Sequence, residues 1–151
     1  MARIKIGDFF EIETPKGKAY MQYVHKDDSM GFLVKILDGF YQEIPKNLGK
    51  LVTSNERFLI YFPLSAAYNR KIVKLVGHME LGDFVQPKYM RSMCFIDKDS
   101  HGWEIVDTQT SKRRFIEKLT KAEKELSPYA IWNDTLLIDR LASGWSLDDW
   151  V

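Results

Sequence analysis

The chain reads as an α+β protein, mostly β. Three observations carry that reading. Its opening residues alternate apolar and polar with a period of two. Short β-prone runs follow one another across tight-turn residues. Helix-capping signatures gather only in the last third. The expected architecture is an N-terminal antiparallel meander or small SH3-like barrel, further strands, and two to three short helices at the C-terminus. At 151 residues without repeats or a linker, a single domain over 1–151 is expected, large enough to bury a core.

Ile4, Ile6, Phe10 and Ile12 fall on one face of the first strand, and Arg3, Lys5, Glu11 and Glu13 on the other. Gly7-Asp8 interrupts the alternation, which predicts a bend or bulge there. Thr14-Pro15-Lys16-Gly17 supplies hairpin chemistry, leading to a second strand over about 18–25. Lys26-Asp27-Asp28-Ser29 turns the chain into a third strand, Gly31 to Leu37, closed by Asp38-Gly39. Glu43-Ile44-Pro45 to Gly49 reads as a loop. Arg57 to Phe62 is nearly all apolar, as a strand buried on both faces would be. Pro63 stops it, Leu64 to Arg70 reads as a short helical turn, and Ile72 to Gly77 as another strand.

Residues 78–100 read as a long connection with a short strand near Met93–Ile96. Gly102 to Asp107 and Arg113 to Leu119 form a strand pair around a Thr-Gln-Thr-Ser turn. Thr120 and Glu123 have capping-box spacing, and Ser127-Pro128 ends that helix by Leu126. Asn133 or Asp134 caps a second helix through Ser143, with Leu137 and Leu141 on one face and Gly144 at its C-terminal end. Ser146-Leu147-Asp148-Asp149 repeats the cap pattern before Trp150.

Composition excludes several classes. Apolar residues are 45% and charged residues 28%, ordinary for a folded protein, and the net charge is +1, so no global field draws the chain to nucleic acid or an anionic membrane. The charge is split: 12 basic and 8 acidic residues in 1–75, against 10 and 13 in 76–151. The single cysteine, Cys94, cannot close an intrachain disulfide, which favours a reducing compartment. No apolar run follows Met1, so no signal peptide is read, and Phe58 to Leu64 is too short to span a bilayer. A cytoplasmic protein is expected.

The search for chemistry yields no catalytic residue, metal ligand set or cofactor loop. His25, His78 and His101 are far apart in sequence, and no serine sits in a nucleophile elbow. Cys94, between Met93 and Phe95, reads as an inert buried thiol. Asp97-x-Asp99-x-His101 has a calcium-loop start without the downstream glycine and glutamate. Asp8, beside Phe9 and Phe10, reads first as a structural acceptor for backbone amides at the bend. Lys112-Arg113-Arg114-Phe115 is the one basic–aromatic run, read as a solvated hairpin end. Trp103 and Trp132 read as core. Trp145 and Trp150, near Asp148 and Asp149, read either as a partner-binding patch or as the tail docked on its own domain.

The ordered segments Ile6-Gly7-Asp8-Phe9-Phe10-Glu11-Ile12, Lys16-Gly17-Lys18-Ala19-Tyr20, Phe62-Pro63-Leu64, Val76-Gly77 and Leu136-Leu137-Ile138-Asp139-Arg140 resemble the immunity protein 26 family of bacterial polymorphic toxin systems. Gly7 and Asp8 are the structural markers of that resemblance. It implies a mostly-β, non-enzymatic protein that neutralises a cognate toxin by direct binding. On that reading the expected partner-binding residues are Asp134, Asp139, Trp145, Asp148, Asp149 and Trp150, an acidic surface able to imitate a phosphate backbone before a basic nuclease toxin. Two other readings stand beside it. One is a small-barrel module that binds peptide or single-stranded nucleic acid through Tyr20, Tyr23 and Tyr41. The other is an enzyme assembled in space from His25, His78, His101 or Asp8.

Overall fold

The computed structural model describes residues 3–43 and 56–151. Among these, eight strands form two antiparallel sheets. The first holds β1 (Asp8–Thr14), β2 (Gly17–Asp27), β3 (Gly31–Leu37), β4 (Glu56–Tyr61) and β5 (Val73–His78), in the order β4-β3-β2-β1-β5. The second holds β6 (Tyr89–Phe95), β7 (His101–Asp107) and β8 (Arg113–Ile116), in that order. Two α-helices, α1 (Leu64–Asn69) and α2 (Asp134–Ser143), and two single 3₁₀ turns, Glu123–Glu125 and Leu147–Asp149, are the other elements among the described residues. The meander is as the sequence predicts. The barrel alternative is not taken: β4 and β5 do not pair, so the first sheet stays open.

The first strand begins at Asp8, not Ile4. The reason is local. Asp8 accepts the Lys5 N–H at 2.9 Å on Oδ2, while its own N–H donates to the Lys5 carbonyl at 3.0 Å, folding 5–8 into a turn. Gly7 sits at φ 103°, where a side chain is strained, and a Cβ there would lie 2.6 Å from the Met79 carbonyl oxygen. The pairing of β1 with β5 also slips by a residue between Phe9 and Phe10.

Both faces of the first sheet are covered, which explains why Glu11, expected to face water, is buried. One face, with Phe10, Ile12, Met21, Val34, Ile36, Phe58 and Ile60, packs under α1, α2, Trp132 and Trp145. The other carries Phe9, Tyr20 and Leu37 in one cluster, and Val24, Leu33, Leu59 and Tyr61 with Met90 of β6 in another. Glu11 is made tolerable there by the Tyr20 hydroxyl, donating at 2.9 Å from the residue directly across the ladder, and by the Lys18 ammonium at 3.2 Å. Leu59 and Tyr61 on one face of β4, with Phe58 and Ile60 on the other, are the doubly buried strand expected from an uninterrupted apolar run.

β6 is longer than the expected short strand at Met93–Ile96, because its ladder with β7 runs from Tyr89–Asp107 to Phe95–His101. The expected helix after Thr120 is reduced to a 3₁₀ turn. The capping box does form, with the Thr120 N–H donating to Glu123 and the Glu123 N–H to the Thr120 hydroxyl. The chain then straightens into a strap, 127–132, that binds the edges of both sheets. On β6, the Arg91 N–H donates to the Ser127 carbonyl at 3.0 Å and the Tyr129 N–H to the Arg91 carbonyl at 2.7 Å. On β4, the Leu59 N–H donates to the Ser127 hydroxyl, the Tyr61 N–H to the Ala130 carbonyl, and the Trp132 N–H to the Tyr61 carbonyl. Helix α2 begins where Asn133 Oδ1 accepts the Leu136 N–H at 2.8 Å and ends at a left-handed Gly144. The loop expected from Glu43 to Gly49 falls, beyond Glu43, outside the described residues.

Candidate functional site

The six residues expected to face a partner separate into two groups. Trp145 is buried, its ring 5.3 Å from Phe58 and 5.1 Å from Trp132, both edge-to-face. Trp150 is half-buried and stands edge-on against Trp103 at 4.8 Å. These two aromatics belong to the tail's docking on its own domain. The same holds for Trp103 and Trp132, which are core as expected. Asp149 is held in a capping box with Ser146, accepting the Ser146 N–H at 2.8 Å. Asp134 lies in the first turn of α2 and is half-buried, whereas Asp139 and Asp148 are exposed.

What organises this end of the molecule is a residue the sequence does not single out. Arg91 is fully buried on β6. Its guanidinium lies over the Trp103 ring at 5.1 Å and the Trp150 ring at 5.0 Å. It donates to the carbonyls of Leu126 and Lys124, ahead of the strap, and of Leu147 and Trp150 in the tail. Burial pushes its pKa down to about 10, with the Asp148 carboxylate pulling in the opposite direction. It therefore stays charged at neutral pH, and the tail is folded around it. In the sequence it is one arginine in a short strand, without spacing or motif to mark it.

A second polar cluster forms at the edge of the first sheet. Asp8, 2% exposed, accepts from His78 Nδ1 at 2.8 Å on its second oxygen, and His78 Nε2 lies 3.2 Å from the exposed Glu80 carboxylate. Asp8 and then Glu80 raise the His78 pKa. Gln22 Nε2 donates across the same bend to the Gly7 and Met79 carbonyls. Asp8 thus serves as the expected acceptor at the bend, and also orients an imidazole that the sequence does not pair with it. His25 lies on β2 opposite Leu33, and His101 on β7 of the other sheet, against Trp103 at 5.6 Å. Among the described residues no three His, Cys, Asp or Glu side chains gather as metal ligands.

The surface shows a different concentration. At the far end of the second sheet Phe95 is 77% exposed, Ile96 53% and Phe115 51%. The Phe115 ring lies across Gly102, whose ladder partner is the half-buried free thiol Cys94, so Phe115 covers the Cys94 face of that end and the neighbouring Phe95 stands on the other face. Lys112-Arg113-Arg114 leads into this end along β8. Arg113 pairs with Glu104 at 2.7 Å and Arg114 with the mostly buried Glu123 at 3.1 Å, both arginines staying open to water. Tyr20 and Tyr23 are buried and Tyr41 packs edge-on against Tyr20, so the stacking platform expected of a nucleic-acid barrel is taken up by the core. No described helix is long and apolar enough to cross a membrane. Compared with known proteins, the chain matches no family model, no curated protein and no solved structure.

Proposed function

We propose that this chain is a binding protein of the immunity type, which neutralises a bacterial toxin by covering part of its surface. One observation carries the reading. Three large apolar side chains, Phe95, Ile96 and Phe115, stand exposed around one end of the β6–β7–β8 ladder, Phe95 and Phe115 on its two faces, with the cationic run of β8 leading to it. Exposed apolar groups rimmed by charge, on rigid elements, are the usual makings of a protein interface. The resemblance to immunity proteins supplies the class of partner. Asp139 and Asp148, which keep their exposure, remain part of the surface offered to it.

The test is co-expression with a candidate toxin drawn from the genes that neighbour this one. Growth should be rescued, and a complex should survive gel filtration. A Phe95→Asp/Ile96→Asp variant should lose rescue while keeping the wild-type urea midpoint, because these side chains are 77% and 53% exposed. Failure of the native protein to rescue growth rejects the toxin partner. Full rescue by the double variant rejects this surface.

A further inference from the structure

β8 is an edge strand whose outer main chain is unpaired. In an antiparallel ladder, residues alternate between pairs that exchange N–H···O bonds and pairs whose main-chain groups point away. The Asp107 N–H donates to the Lys112 carbonyl at 2.8 Å, which fixes the phase. With Val106 opposite Arg113 and Glu104 opposite Phe115, the N–H and C=O of Arg113 and Phe115 point outward from the sheet. Among the described residues no hydrogen bond reaches those groups, and 113–115 are all exposed. The same phase rule applied to β6 turns Arg91 outward, and there the strap takes both of its main-chain groups. On its inner half, the β6 edge is therefore closed by the chain itself, while the β8 edge is left open.

Charge identifies what fits. Three consecutive cations, Lys112, Arg113 and Arg114, alternate across the two faces of this strand. Among the described residues Lys112 has no ion pair, and the Arg113 and Arg114 side chains stay open to water beside Glu104, Tyr129 and Glu123. A row of cations keeps a second copy of β8 from pairing with the first, a common protection of sheet edges. The same row favours a strand carrying carboxylates, which meet Arg114 when they lie on the face away from Phe115.

We infer that the β8 edge takes an extended acidic segment of a partner protein as an added strand, using the outward main-chain groups of Arg113 and Phe115, with Phe115 giving an apolar contact. The inference deepens the binding-protein reading and rests on it. Main-chain bonds supply affinity in such strand addition, and the side chains supply selectivity.

The probe is a blocked peptide of alternating Glu and Val, titrated into the full chain and followed by amide NMR. The amides of Arg113 and Phe115 should shift and become about tenfold or more slower to exchange. A counterpart of alternating Lys and Val should bind at least about tenfold more weakly. Phe115→Pro removes an outward N–H without touching the ladder to β7, a placement proline tolerates, and should abolish binding. Phe115→Thr, which keeps the N–H, should retain it. Equal binding by the two variants, shifts along β5 in place of β8, or displacement of the peptide by a single-stranded oligonucleotide each overturns the proposal. Loss of peptide binding with toxin neutralisation intact removes the strand addition alone. Intact peptide binding without neutralisation removes only the toxin.

Discussion

A buried guanidinium must find an acceptor for each N–H it turns away from water, and Arg91 finds four backbone carbonyls in place of a carboxylate. Its planar fork reaches all four while lying against two indoles; a lysine ammonium is a single point with three donors. Arg91→Lys should therefore cost about 3 kcal/mol or more, read as a lower urea midpoint. Restoring size without the fork, as in Arg91→Met, should not recover it. The sequence hides this residue because its partners lie 33 to 59 positions away and are carbonyls, which every residue type supplies. Local devices were legible where side chain and target are neighbours. The Gly7 bend, the Asn133 cap and the Gly144 terminus are each written within a few residues.

At the scale of elements, β5 hangs on the edge of the first sheet, and His78 at its end is held to β1 by Asp8. Both carboxylates beside His78 favour its charged form, so its folded pKa stands above the ordinary 6.5, with Lys5 opposing. A raised folded pKa stabilises the native state fully below the unfolded value and loses that contribution as pH rises through the folded value. The urea midpoint should fall as pH is raised from about 6.5, and this fall should vanish in His78→Gln. A fall of the same size in the variant would assign the effect elsewhere. The pairing lay outside sequence reasoning because Asp8 and His78 are 70 positions apart. Strand periodicity located β1 to β5, since period-two patterns and turn residues are local. It misjudged the outward face of β1, because whether a second layer covers that face is decided by residues much further on.

For the whole molecule, the helices and strap form part of the core. Trp132, Leu137, Leu141 and Trp145 are buried against the first sheet. Burying four such side chains is worth roughly 10 kcal/mol by transfer, comparable with the ~5–15 kcal/mol that holds a typical domain folded. A chain ending at residue 119 should show no cooperative urea transition, whereas independent folding of the first sheet would leave one. The mostly-β class with a helical end was readable because it sums many local signals. The division into two sheets was not, since a strand's partners are chosen by surfaces the chain meets later.

The strap at 127–132 also bears on how the protein is made. Its partners on β4 and β6 leave the ribosome dozens of residues earlier, and both edges wait unpaired until it arrives. Nascent edges of that kind are where a growing chain pairs wrongly or with its neighbours. Translation of the stretch that carries the strap is thus the step on which clean folding depends. A pause placed just before the strap should lower the yield of folded protein more than the same pause placed after it.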